Sequence, residues 1–293
     1  MKLASMARTA FGPTAWFVLL WSSGALFAKA GLASASPFAF LSLRFALAFA
    51  VLVALGLARG RLRPAPGTAP LAAGAGALMI GGYSIAYLLA LDAGLTPGVL
   101  ATTLGVQPVL TLLWVERGFP LRRLAGLALS LGGLVLVVYD SLVLSRMPAA
   151  GIAFALAALA CVTAGSILQK RLQQAPLDVL PVQYAVSLSM CAAFLPWQPV
   201  HVAWDTNLVV CVLWLGLVIS VGATLLLYRL IRSGDLVNVT SLFYLVPAGT
   251  AVLDWLVFGH RLAPLAMAGM AAIAGGLVLV FRPARPAALS ASG

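Results

Sequence analysis

Apolar runs of about 20 residues follow one another along the chain of 293 residues, with only short polar links between them. About 20 mostly apolar residues are what a helix needs to cross a bilayer. Alternating segments of about ten residues, which build membrane β-barrels, are not seen. The pattern predicts an all-α integral membrane protein of ten transmembrane helices. We expect these over 13–31, 37–58, 69–91, 96–115, 121–139, 149–169, 177–198, 207–228, 236–258 and 263–281.

Composition supports lipid as the solvent of this chain. Hydrophobic residues make up 62% of it and charged residues 9%, whereas a soluble domain carries about 25% charge. The net charge of +11 is typical of nucleic-acid binders, but here it is spread over short links and suits lipid headgroups. The three cysteines lie inside apolar runs without metal-type spacing. We expect no nucleic acid, metal or cofactor, and oligomeric state stays open.

The basic residues predict the orientation, because cytoplasmic links are enriched in Lys and Arg. Of the 18 basic residues, 14 lie at one set of span ends, including Arg59, Arg123 and Lys170. We therefore expect a multi-pass protein of a bacterial-type inner (plasma) membrane with both termini in the cytoplasm. A cleaved signal peptide ending at Ala33-Ser34-Ala35 is the alternative, but it would leave an odd number of spans.

An internal repeat divides the chain in two. The hexapeptide Gly-Gly-Leu-Val-Leu-Val occupies 132–137 and again 275–280. Five spans in each half are an odd number, so the second half begins on the opposite side of the membrane. We expect two inverted five-helix repeats, 1–145 and 146–293, which form one membrane domain around a central cavity. Chance similarity between apolar segments is the alternative.

Two prolines lie at matching points of these repeats. Pro108 in the fourth span and Pro247 in the ninth each follow a tyrosine, Tyr87 or Tyr228, at a similar distance. Proline removes a backbone donor and loosens a helix, so we interpret both as hinges. The alternative is a tolerated kink without function.

Several short motifs, in this order, resemble the drug/metabolite transporter superfamily. They are Trp21-Ser22-Ser23, Lys29, Pro37 with Arg44, Tyr87-Leu88-Leu89-Ala90-Leu91, Gln107-Pro108 and the Gly-Gly endings. The chain is similar to the EamA-type ten-helix exporters, in particular the aromatic amino-acid exporters. The resemblance implies export of small metabolites, often amino acids, through a central cavity in a basket-like arrangement. Such repeats carry an acidic residue before the last helix of each half; Glu116 matches this, but His260-Arg261 does not.

Polar and aromatic residues inside spans are the candidates for the cavity wall, because they cost free energy when they face lipid. Arg44 is a candidate contact for a substrate carboxylate, or else its side chain reaches outward to the membrane surface. Serines and threonines also bond their own backbone, and tyrosines such as Tyr139 and Tyr228 fit an interfacial belt. The candidate substrate-binding residues are Trp21, Ser22, Tyr83, Tyr87, Thr103, Gln107, Ser166, Thr224 and Tyr244.

The energy source is constrained by the acidic residues. Apart from Asp178 at the cytoplasmic end of the seventh span, Asp254 is the only acid inside a predicted span, and it lies near the end. This favours a facilitator over a proton-coupled multidrug antiporter, and the absence of a Walker loop argues against ATP. The spans show no pairing of a nucleophile with a base, so we do not expect an enzyme. We predict a secondary transporter of small amphipathic metabolites, foremost aromatic or other apolar amino acids, that works by alternating access. The alternatives are a multidrug or other metabolite carrier and a non-transporting receptor.

Overall fold

The computed structural model describes residues 2–115, 120–143, 148–197, 200–258 and 263–281. Within these ranges the protein is helical, and an isolated bridge between Ala35 and Val202 is the single β-type contact. The predicted all-α class is confirmed. Glu116, Arg146 and His260-Arg261, which bore on the predicted acidic position and on orientation, lie outside the described residues.

Fifteen α-helices are distinguished in the described part of the chain, with π-helical turns over Ala77–Gly82 and Trp214–Ala223 and 3-10 turns over Leu195–Trp197 and Leu242–Tyr244. The α-helices are α1 (Lys2–Leu32), α2 (Pro37–Ala58), α3 (Ala69–Gly76), α4 (Tyr83–Asp92), α5 (Pro97–Leu104), α6 (Gln107–Val115), α7 (Leu121–Val137), α8 (Tyr139–Val143), α9 (Ala149–Arg171), α10 (Pro176–Phe194), α11 (Thr206–Leu213), α12 (Thr224–Ser233), α13 (Leu236–Ser241), α14 (Leu245–Phe258) and α15 (Pro264–Phe281).

Nine stretches of the described helices are long and apolar enough to cross a membrane. They match nine of the ten predicted spans within a few residues. The remaining predicted span, 121–139, is α7, which has 17 residues and ends where the chain turns at Val138. The eighth span runs to Ser233, further than predicted, and Tyr228, which lies within it, is 1% exposed. Its assignment to an interfacial belt was therefore wrong.

Irregular turns occur at matching places in the two halves. The third span contains the π-helical turn at Ala77–Gly82, and the eighth contains the one at Trp214–Ala223. The fourth span is interrupted between α5 and α6, and the ninth by the 3-10 turn before α14. Pro108 and Pro247 thus both lie in the first turn of a new helix, where a backbone donor is not needed. The helical break precedes each proline rather than lying at it.

The last spans of the two halves, α7 and α15, cross through glycines. A Cβ atom built on Gly126 would lie 2.7 Å from the carbonyl oxygen of Gly276, and one built on Gly133 would lie 2.6 Å from that of Gly269. The hexapeptide repeat aligns Gly126 with Gly269 and Gly133 with Gly276. Exchanging each glycine for its repeat equivalent therefore turns the contact of Gly126 with Gly276 into that of Gly269 with Gly133. This is the pattern of a two-fold contact between antiparallel helices.

Polar contacts between links place their spans relative to one another. On one side, which we call the basic face, Gln174 bonds the backbone of Ala65 and the hydroxyl of Thr68, and Arg123 pairs with Asp235. On the opposite face, the backbone nitrogen of Ser36 donates to the carbonyl oxygen of His201. These contacts agree with spans that alternate in direction along the chain.

Large apolar side chains cover the outer surface of the described helices. Trp16 is 60% exposed, Leu129 44% and Val278 52%. Such an apolar surface is suited to lipid rather than water. Inside, a large apolar cluster involves the first three, the seventh and the eighth spans, and a smaller one involves α7, α14 and α15. Residues from both clusters reach a cavity between them.

Candidate functional site

A cavity of about 370 Å³ lies among helices from both halves. Sites for small organic ligands typically measure about 300–1,000 Å³ and are mostly apolar, with a few polar groups that fix orientation. This cavity is of that kind. Its polar and aromatic lining residues are Trp21, Arg44, Tyr83, Ser84, Tyr87, Gln107, Ser166, Thr240, Phe243 and Thr250.

The structure brings together a part of the predicted site. Five candidate substrate-binding residues line the cavity, and so do Arg44 and the hinge candidate Pro247. These five are Trp21, Tyr83, Tyr87, Gln107 and Ser166. The candidates outside the lining are Ser22, Thr103, Thr224, Tyr244 and the hinge candidate Pro108.

Hydroxyl groups away from the cavity are bonded to backbone carbonyls. Thr103 Oγ1 donates to Val99 at 3.0 Å, and Thr224 Oγ1 donates to Ile219 at 3.0 Å. Ser22 Oγ lies 2.7 Å from the carbonyl oxygen of Val18 and 3.0 Å from that of Val246. Ser22 therefore contributes to packing between the first and ninth spans. These hydroxyl groups thus bond backbone carbonyls, as serine and threonine often do inside helices.

Arg44 points into the protein rather than outward. Its Nε donates to Ser220 Oγ in the eighth span at 2.8 Å, and the guanidinium lies 5.6 Å from the centroid of the Phe45 ring. The phenol groups of Tyr184, Tyr83 and Tyr87 are its electrostatic neighbours. Among the described residues, no carboxylate pairs with this cation. A positive charge thus faces the cavity with neutral groups around it.

Two tyrosines form one wall next to Arg44. The rings of Tyr83 and Tyr87 lie 5.7 Å apart between centroids and are tilted by 56°. Tyr83 directly follows the π-helical turn of the third span. Such turns add a residue to the helical register and are frequent at functional sites. The turn therefore sets the direction in which both phenols face.

Gln107 joins the two halves at the break in the fourth span. It is the first residue of α6, it is 3% exposed, and its Nε2 lies 3.5 Å from Ser166 Oγ in α9. The hydroxyl of Ser166 in turn donates to the carbonyl oxygen of Thr163 at 2.9 Å. Together these groups offer a neutral polar patch on the cavity wall.

A second aromatic wall comes from the first and ninth spans. The rings of Trp21 and Phe243 meet edge to face, with centroids 5.4 Å apart and an interplanar angle of 82°. Sequence reasoning nominated the next residue, Tyr244, which is fully buried in the smaller apolar cluster. The 3-10 turn over Leu242–Tyr244 changes the helical register at this point, so that Phe243 reaches the cavity. Thr250 also lines the cavity, although it is not among the residues predicted from the sequence. Its pairing with Thr111 when the two prolines are aligned is a sequence signal that points to it.

At its end near the basic face the cavity is covered. The lining residues Ile231, Val239 and Thr240 are 1%, 5% and 1% exposed. Just beyond them, Lys170 bonds the last carbonyl groups of α12. Arg123 joins the start of α7 to Asp235 and Asn238 at the start of α13. This end is therefore closed by packing and by polar contacts between spans.

The apolar helices define a polytopic membrane protein with a cavity of ligand size between its spans. The segment 149–282 matches a model of the EamA-like transporter family. The predicted resemblance to the drug/metabolite transporter superfamily is thereby confirmed over these residues. Members of the family are transporters rather than enzymes.

The fold of the chain is similar to that of solved structures. One of them aligns over 94% of this chain and 97% of its own, with 23% identity and a TM-score of 0.72. In all, 29 chains of solved structures match. At this identity the likeness shows the fold alone. No curated protein matches the sequence.

Proposed function

We propose that the protein is a secondary transporter that exports small amphipathic metabolites, foremost amino acids with aromatic or other apolar side chains. The observation that carries this proposal is the cavity of about 370 Å³ with aromatic walls and one cationic side chain. An apolar side chain would pack between the walls made by Trp21 with Phe243 and by Tyr83 with Tyr87. The carboxylate would bind Arg44, and Gln107 and Ser166 would orient the polar end.

Transport would proceed by alternating access between two inverted halves, 1–145 and 146–293. The matching irregular turns and the two-fold glycine contact between α7 and α15 support this organisation. Pro108 and Pro247 would act as hinges, because each lies in the first turn of a new helix after a break. Ser22, Thr103, Thr224 and Tyr244 would take part by holding the moving helices in register.

We also propose facilitated export rather than proton antiport. No aspartate or glutamate is present among the described residues that line the cavity, so they supply no carboxylate as proton carrier. The membrane would be a bacterial-type inner membrane with the basic face in the cytoplasm. Cysteines at Arg63 and Trp204, in a background without native cysteines, should react with an impermeant reagent from opposite sides. Labelling of both from the same side would contradict the orientation.

Reconstitution tests the proposed cargo. Purified protein in liposomes should move labelled phenylalanine, leucine or a related amphiphile, and an imposed pH gradient should leave the rate unchanged. Replacing Tyr83 with Ala should slow flux by about threefold to tenfold, since an aromatic contact contributes roughly 0.5–1.5 kcal/mol beyond its area. Tyr139→Ala is the control, because Tyr139 is 46% exposed and lies outside the cavity lining. Flux of cationic drugs with none of any amino acid would favour a multidrug carrier instead.

A further inference from the structure

Arg44 is the only charged side chain among the described residues that line the cavity. Neither an acidic group nor a second base accompanies it there. A cation in a membrane span is costly unless it is paired or solvated. Its presence without a described counter-ion therefore means that the cavity carries an excess of positive charge.

The hydrogen bond of Arg44 engages Nε and leaves the edge formed by the two Nη groups open. Nε is engaged by Ser220 Oγ at 2.8 Å, while neither Nη group has a hydrogen-bond partner among the described residues. Two parallel N–H groups of a guanidinium match the two oxygens of a carboxylate. Ser220 itself accepts from Nε, and its carbonyl oxygen is held by the hydroxyl of Tyr184 at 2.7 Å. The eighth span thus fixes the direction in which the open edge faces.

An ammonium group would find no comparable partner. Within the described lining, the side chains other than Arg44 are uncharged: aromatic rings, the amide of Gln107, and hydroxyl groups such as those of Ser166 and Thr250. A cation over an aromatic ring gains roughly 0.5–2 kcal/mol, which is less than the cost of removing an unpaired ammonium from water. The site is therefore complementary to one end of a zwitterionic amino acid and indifferent or unfavourable to the other.

We propose that the carboxylate of the cargo is required and its amino group is dispensable, so that the transporter also takes amphipathic monocarboxylates, such as the 2-oxo and 2-hydroxy analogues of apolar amino acids. Arg44 is the residue that determines this specificity. The inference rests on the proposed function, because it concerns the same cavity.

Three probes of the same ring and chain length separate the two charges: phenylalanine, 3-phenylpropionate and phenethylamine. Each is tested as a competitor of labelled phenylalanine flux in proteoliposomes and by calorimetric binding to the detergent-solubilised transporter. We expect 3-phenylpropionate to compete about as well as phenylalanine, and phenethylamine to compete about tenfold more weakly or worse. Equal or better competition by phenethylamine would overturn the proposal.

Variants assign the effect to the guanidinium. Arg44→Gln should lower the affinity for 3-phenylpropionate about tenfold or more, because charge-assisted bonds are lost, and should leave phenethylamine binding unchanged or improved. Arg44→Lys should recover part of the loss. Ser42→Ala is the matched control in the same helix, since Ser42 lies outside the cavity lining. Melting temperature and elution volume identify any variant that fails to fold. In that case the competition of the three probes on wild-type protein decides whether the carboxylate is required.

The outcomes also separate this inference from the proposed function. If no amino acid and no related amphiphile is transported, the proposed function fails. If phenylalanine is transported but 3-phenylpropionate neither binds nor competes, the proposed function stands and the inference is refuted.

Discussion

Lys170 covers the end of α12 with its side chain: Nζ donates to the carbonyl oxygen of Ile231 at 2.7 Å and to that of Gly234 at 2.5 Å. The last carbonyl groups of a helix have no partner within it and carry a partial negative charge. A lysine from another span satisfies them here. The contact ties the sixth span to the eighth at the covered end of the cavity.

Replacing Lys170 with Met should loosen this end. We expect a loss of about 1–2 kcal/mol, since charged hydrogen bonds are lost at a partly exposed position. The measurement is the melting temperature in detergent. Arg171→Met is the control, because Arg171 is exposed and next in sequence. Equal melting temperatures of the two variants would show that the contacts of Lys170 do not stabilise the protein.

The glycine contact between α7 and α15 predicts a contrast between adjacent residues. A Cβ on Gly133 would meet backbone atoms of Gly269 and Ile273, which cannot move aside, whereas one on Gly132 has nothing within 4 Å. We expect Gly133→Ala to cost about 1–3 kcal/mol through overpacking. Gly132→Ala should be neutral or gain up to about 1 kcal/mol from helix propensity. Thermal unfolding of the pair decides, and equal melting temperatures would rule out close packing of these helices.

Asp205 predicts a pH effect on the opposite face. Its Oδ1 accepts from the backbone nitrogen of Leu208 at 2.7 Å, and Oδ2 accepts from Ser34 Oγ at 2.8 Å. The bond from Leu208, followed by that from Ser34, lowers the pKa of the Asp205 carboxyl. A lowered pKa stabilises the folded state above the unfolded pKa of about 3.9, and this contribution is lost as pH falls through the lowered value.

Asp205→Asn should therefore remove a pH dependence while keeping a helix cap, because Asn caps nearly as well as Asp. The difference in melting temperature between wild type and variant should be constant from neutral pH to about pH 5 and should shrink below about pH 4. Asp92→Asn, at the last residue of α4 on the same face, is the control. A difference that grows on acidification would have the wrong sign.

Buried phenols give the last prediction. Tyr184 donates to the carbonyl oxygen of Ser220 at 2.7 Å, whereas the hydroxyl of Tyr244 has no hydrogen-bond partner among the described residues. Tyr184→Phe should cost about 1 kcal/mol or more, and Tyr244→Phe should cost nothing or stabilise the protein. Both rings are fully buried, so packing changes cancel in the comparison. The reverse order of melting temperatures would contradict the assignment.

Only some of the predicted site residues line the cavity, and a comparison of Tyr83, Tyr87 and Tyr244 shows why. Tyr83 and Tyr87 were nominated by their spacing of one helical turn, which survives because α4 is regular. Tyr244 was nominated by its depth, but the irregular turn at Leu242–Tyr244 directs Phe243 to the cavity instead. Helical spacing identifies a shared face only where the helix has a constant period.

From the sequence alone followed the membrane class, the all-α fold, the positions of nine spans and the existence of paired breaks near Pro108 and Pro247. Bilayers require every backbone group to be bonded within a helix, so long apolar runs allow little else. Which side chains face the cavity was decided by tertiary structure. Lipid and protein interior are equally apolar, and the pattern therefore could not say that Arg44 turns inward to Ser220 while Thr103 and Thr224 bond their own helices.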